Sequence, residues 1–216
     1  MVAANPHLAQ PVTHAGAPLD HARTVAIVLH GRGQSPATMR DDIVARLGLP
    51  GVAYVMPAAV DGSWYPMGFM APRGDNEPRL SFALDRVTQL SDDLARAGVP
   101  LAAQILIGFS QGACLACEYV YQRHARLAGL IAFTGGLIGS PGTTWRNQRG
   151  PLAGMPTLFT GSLQDPWVPA ERICESIGVF ERLGARVETR LHDGDRHEIR
   201  DAEIAAARGV LVELGA

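Results

Sequence analysis

The chain has 216 residues, a length that suits one domain with one sizeable core. Hydrophobic residues make up 47% and charged residues 19%, the composition of an ordinary soluble globular protein. A net charge of −2, with no long basic run and no apolar stretch of bilayer length, argues against nucleic acid as a partner and against stable membrane insertion.

Residues 1–21 contain Pro and His without periodicity and read as a loose lead-in with room for one edge strand. They lack a basic start followed by an apolar core, so no secretion signal is expected and the expected location is cytoplasmic. Residues 22–216 are expected to form a single α/β domain. The run 24–30, TVAIVLH, is short, apolar and rich in β-branched residues, as a buried strand requires. Ser35 then offers a helix N-cap with Pro36 at the first helical position, predicting a helix to about Leu47. The run 51–57, GVAYVMP, is the next strand.

Leu80, Leu84, Val87, Leu90, Leu94 and Ala97 form a helical stripe that Gly98 stops. A strand over 103–109, AQILIGF, is apolar on both faces. Residues 111–122 form a helix that is apolar nearly all round and therefore buried. Strands follow at 129–135 and 156–161. A helix carries Ile173, Ile177, Phe180 and Leu183, then a strand spans 186–192, and a last helix runs from about Ile199 to Leu214. Such alternation implies a mostly parallel sheet with helices on both faces. The segments 57–79 and 136–155 show little regular pattern, and loops of that length in a compact domain are usually functional.

Within this frame the stretch GFSQG, residues 108–112, has a specific context. A buried strand ends at Phe109, a buried helix begins near Gln111, and Ser110 sits at the turn between them. The pattern G-x-S-x-G is weak alone, and a Gly-Ser cap on a structural helix is the bland alternative. The strand–turn–helix context is what a nucleophile elbow demands. Gly108 and Gly112 would then be required because side chains there collide with the neighbouring strand and helix.

A serine hydroxyl needs a base to take its proton. In such sheets the order is Ser, then acid, then His. Asp165 follows the strand 156–161 in the stretch GSLQDPWVP. His197 stands in the loop before the last helix, with Gly194 letting the chain turn, whereas His192 reads as a strand-end or core histidine. Asp193 and Asp195 compete for the acid role, but they are too close to His197 in sequence to reach its Nδ1 without contortion. Asp165 would hold the imidazole tautomer and stabilise the imidazolium. The cluster HDGDRHE matches no common metal-ligand spacing, so no metal is expected.

Donors for a developing oxyanion are also needed. The backbone N–H of Gln111, next to the serine, is one candidate. The turn LHGRG (29–33) supplies the other as the backbone N–H of Arg32. A dinucleotide-binding reading of that G-x-G fails, because Pro36 takes the place of the third glycine. Cys114 and Cys117 form a C-x-x-C that invites a redox or metal role. Both lie in an apolar run, where thiols usually serve as small buried side chains.

LHGRG, GFSQG, DPWVP and the Gly194-to-His197 stretch together resemble the phospholipase/carboxylesterase (acyl-protein thioesterase-like) family of α/β-hydrolases, over nearly the whole chain from about Val25. The resemblance implies an α/β-hydrolase fold without a large cap domain, and often a homodimer. It implies a triad of Ser110, Asp165 and His197 and oxyanion donors at Arg32 and Gln111; a serine esterase of this kind is expected to need no cofactor. There are departures. The family often has Leu where Arg32 stands, so a guanidinium sits near the site, either attracting a substrate anion or turning to solvent. The segment 61–78 is unlike that of the acyl-protein thioesterases, and it brings Trp64, Tyr65, Phe69 and Met70 toward the substrate pocket; Trp167, beside Asp165, is a further pocket candidate. Packing within the loop is the alternative for these aromatics. The expected function is a serine carboxylesterase acting on small to medium esters. An acyl thioesterase or lysophospholipase is the enzymatic alternative, and a hydrolase-fold binding module the non-enzymatic one.

Overall fold

The computed structural model describes residues 4–123, 127–146 and 150–216. Seven strands form one sheet: β1 (Val12–Gly16), β2 (Val25–Leu29), β3 (Ala53–Pro57), β4 (Gln104–Phe109), β5 (Gly129–Phe133), β6 (Pro156–Ser162) and β7 (Arg186–His192). Their spatial order is β1-β3-β2-β4-β5-β6-β7. β1 runs antiparallel to β3 and every other pair is parallel. Every residue of β2, β3, β4 and β5 is buried, which explains their continuous apolar sequences.

Helices cover both faces. On one side, α3 (Arg79–Arg96), α4 (Gln111–Arg123) and α5 (Ala170–Arg182) pack on Val25, Ile27 and Leu29 and their neighbours. On the other, Ala26 and Val28 meet α6 (Asp201–Glu213) and the helix after β2. That helix begins as α1 (Pro36–Met39) with Ser35 Oγ accepting the Thr38 N–H. It passes through a π-helical turn at Arg40–Val44 and ends as α2 (Ala45–Leu47). The π turn was not expected: periodicity over twelve residues cannot register one residue of extra winding.

The N-terminal segment holds the edge strand for which it had room and packs on the fold before it. β1 supplies an edge strand, and His7 before it is fully buried. The His7 Nδ1 accepts the Val60 N–H at 3.2 Å, so its Nε2 donates to Trp64 O at 3.1 Å. Burial lowers its pKa to about 4, which keeps the ring neutral for this pair of bonds. His7 thus holds the loop after β3 from behind. Among the described residues no helix is long and apolar enough to cross a membrane.

Candidate active site

Ser110 sits between β4 and α4 with φ +53, a left-handed conformation rare for a residue with a side chain. Its N–H donates to Phe133 O at 3.0 Å, and its carbonyl accepts the Cys114 N–H at 3.0 Å. The two glycines are sterically required. A Cβ on Gly108 would lie 2.4 Å from Gly112 O, and one on Gly112 would lie 2.2 Å from Leu29 O. Glycine therefore lets the first turn of α4 press against both β4 and the end of β2, and the turn left over thrusts Ser110 outward.

The loops after β6 and β7 deliver the partners. His197 Nε2 lies 2.8 Å from Ser110 Oγ, and His197 Nδ1 lies 2.7 Å from Asp165 Oδ2. A carboxylate only accepts, so Nδ1 carries the proton and Nε2 is left to accept from the serine hydroxyl. The other carboxylate oxygen, Asp165 Oδ1, accepts the N–H groups of Trp167 (2.8 Å) and Val168 (2.9 Å). The sequence DPWV thus folds into a turn around its own aspartate. Asp193 and Asp195 are exposed, and His192 stands at the end of β7 with Nε2 3.4 Å from Glu203 Oε1.

Ser162, Leu163 and Gln164, which pattern reading did not single out, help to fix this geometry. Ser162 Oγ donates to Arg196 O at 2.6 Å, and Gly194 N–H donates to Gln164 Oε1 at 2.6 Å. Leu163 N–H donates to His192 O at 2.8 Å. The acid loop and the histidine loop are laced together before their functional side chains meet. Gly194 adopts φ +103, as the turn between β7 and His197 requires. The Phe109 ring lies 5.2 Å from the imidazole.

A cavity of about 530 Å³ opens over Ser110 and His197, within the usual range for small-molecule sites. Arg32 and Gln111 both border it. Gln111 is the first residue of α4, so its N–H has no acceptor within the helix and stands at the positive end of the helix dipole. Tyr65, Phe69 and Trp167 line the cavity, with Trp167 at an exposed rim. Trp64 and Met70 do not. Trp64 is fully buried, with its Nε1–H donating to His30 O at 2.8 Å, and Met70 packs against the core. Adjacent positions along an irregular loop point different ways, and no period told them apart.

Pro66, Met67, Gly68, Val168 and Cys114 complete the lining. Cys114 and Cys117 are buried, as small apolar side chains would be. Burial pushes the Cys114 thiol up to about 12, so it stays a thiol although it borders the cavity. The exposed Arg32 guanidinium is tied to the loop after β3. Nη1 donates to Pro66 O at 2.7 Å and Nη2 to Met67 O at 2.5 Å.

Comparison with known proteins identifies the family. The family profile for Phospholipase/Carboxylesterase matches residues 15–212. A phospholipase/carboxylesterase from Dyadobacter fermentans is 33% identical over 94% of this chain and 97% of its own, with a TM-score of 0.85. Carboxylesterases from Mesorhizobium loti (21% identity, 94% of each chain, TM-score 0.73) and Bacillus cereus (15%, 95% of each chain, TM-score 0.77) share the fold. No curated protein matches the chain. The chain belongs to the phospholipase/carboxylesterase family: it has the α/β-hydrolase fold, without a large cap domain, and is an ester-hydrolysing enzyme.

Proposed function

We propose that the protein is a serine carboxylesterase that hydrolyses small to medium carboxylic esters through an acyl-enzyme on Ser110. The observation that carries this reading is the unbroken chain from Ser110 Oγ through the His197 ring to Asp165 Oδ2. Ser110 Oγ attacks the ester carbonyl while His197 Nε2 takes its proton. The oxyanion is met by the backbone N–H groups of Gln111 and Arg32. The imidazolium, steadied by Asp165, gives its proton to the departing alkoxide. Water then attacks the acyl-enzyme with His197 as base, releasing the acid and restoring the serine. No step calls on a metal or a cofactor.

A small to medium substrate is supported by the cavity volume of about 530 Å³ and by its lining of Tyr65, Phe69, Trp167 and Val168. Initial rates on p-nitrophenyl esters of rising acyl length, for the wild type beside Ser110→Ala, test both parts. Turnover of short esters that the variant loses supports the reading. Turnover that survives in Ser110→Ala removes the serine mechanism. A preference for long acyl chains or acyl thioesters moves the function to a lysophospholipase or thioesterase.

A further inference from the structure

We propose that the Arg32 side chain determines chain-length selectivity by clamping the cavity wall formed by residues 65–69. The proposal rests on the reading that ester substrates enter this cavity. Five consecutive residues, Tyr65 to Phe69, line it, yet none belongs to a helix or strand. The wall is held by hydrogen bonds from other parts of the fold. At its start, Gln111 Oε1 accepts the Trp64 N–H at 3.0 Å and Gln111 Nε2 donates to Tyr65 O at 2.8 Å. In its second half, the fully buried Asn76 accepts the Met67 N–H at 2.8 Å and donates to Gly68 O at 3.1 Å. At its end, Gly139 N–H donates to Phe69 O at 2.9 Å.

The carbonyls of Pro66 and Met67 are tied by Arg32. A planar guanidinium presents two N–H groups in a fixed fork, which suits two consecutive carbonyls and no single-point donor. The same guanidinium lies 6.0 Å from the centre of the Tyr65 ring, another lining residue. With two of its nitrogens on the wall, Arg32 is a strap across the crest of the loop rather than an anion receptor. Its two neighbours along the wall, Gln111 and Asn76, are buried, whereas Arg32 is exposed. The clamp is therefore the one fastening among these that can be removed without emptying a buried site. Loosening it releases the Pro66 and Met67 carbonyls and leaves the Met67 N–H on Asn76 as the remaining tie at the crest, so the cavity widens on that side. Chains too long for the closed cavity gain room, and short chains gain nothing.

The test compares kcat/KM for p-nitrophenyl butyrate and octanoate in the wild type, Arg32→Leu and Arg32→Lys. Arg32 also supplies a proposed oxyanion N–H, so the measured quantity is the octanoate-to-butyrate ratio. A disturbed backbone donor lowers both esters by a common factor and leaves the ratio alone. The ratio is expected to rise about tenfold in Arg32→Leu, carried by KM for octanoate, and by less in Arg32→Lys. A ratio within about twofold of wild type in Arg32→Leu overturns the proposal. Amide hydrogen exchange provides a second readout independent of turnover. The Met67 amide, held by Asn76 Oδ1, should exchange faster in Arg32→Leu, and unchanged exchange there overturns the clamp. Failure of the esterase reading looks different: no phosphonate labelling of wild-type Ser110 and no turnover that Ser110→Ala removes. In that event the exchange result alone decides whether the clamp exists.

Discussion

The left-handed backbone at Ser110 predicts opposite effects on activity and stability from one substitution. At φ +53 a residue with a Cβ is strained by about 1–2 kcal/mol relative to glycine. Ser110→Gly relieves that strain, and Ser110→Ala keeps it. Both variants lose the 2.8 Å bond from Oγ to His197 Nε2, so that loss cancels when the two are compared. Glycine also makes the unfolded chain more flexible, which costs about 0.4–1 kcal/mol. The net expectation is a Gly variant more stable than the Ala variant by about 0.5–1 kcal/mol. For a chain of this length that corresponds to a Tm about 1–4 °C higher. Both variants should lose several orders of magnitude in kcat.

The assay is differential scanning calorimetry on the two variants side by side, with ester hydrolysis measured on the same preparations. A Gly variant that melts at or below the Ala variant refutes the reasoning. It would mean that the chain does not carry a strained turn at position 110 in solution, and the outward placement of the hydroxyl would need another cause.

In Asp165→Asn, an amide oxygen left on the Trp167 and Val168 N–H groups turns the NH2 toward His197 Nδ1. Nδ1 must then accept, Nε2 carries the proton, and kcat should fall by about 10³–10⁴ with Ser110 in place; near-normal kcat would remove Asp165 from the mechanism. Gly112→Ala puts a Cβ 2.2 Å from Leu29 O and 2.6 Å from His30 O, so a thermal scan should show Tm lowered by about 5 °C or more. A wild-type Tm would contradict the close approach of α4 to β2. Burial, opposed by the Arg200 N–H and by the charges of Arg200 and Arg46, raises the Glu203 carboxyl from 4.5 to about 7. A folded pKa above the unfolded one gives a contribution that is full below about pH 4.5 and lost as the pH rises through about 7. Glu203→Gln should match the wild type at the acid end and exceed it by up to ~3 kcal/mol at about pH 8, in urea titrations; equal stability at both ends counts against a buried neutral carboxyl.

The parts legible in the sequence are those governed by local rules. β2 to β5 are continuous apolar runs because both sheet faces are covered, and the stripe on α3 reports its single buried face. That Ser110, Asp165 and His197 meet was legible because a turn between buried elements has few possible positions, and each residue follows a strand. The cavity wall was not legible. His7 meets Trp64 across 57 residues and Gln111 meets it across 47, and neither contact leaves a periodic trace. The split of 61–70 into buried Trp64, cavity-lining Tyr65 and core-packed Met70 depends on those distant contacts.

In the proposed mechanism and clamp, Arg32 and Gln111 each serve chemistry and selectivity by separate atoms. In the proposed mechanism each gives a backbone N–H to the oxyanion, and that group is the same whatever side chain follows. Each side chain instead fastens the wall: Gln111 holds Trp64 and Tyr65, and Arg32 holds Pro66 and Met67. Replacing the side chain can therefore reshape the cavity without removing the donor. The converse does not hold. A change that moves the backbone at 31–33 disturbs donor and wall together, since Gly31 N–H is held by Gln34 Oε1 and Gly33 N–H by Gly62 O, at the start of the same loop. Side-chain substitutions at Arg32 should consequently alter the ratio between substrates, whereas insertions or deletions in 31–34 should abolish turnover of all of them.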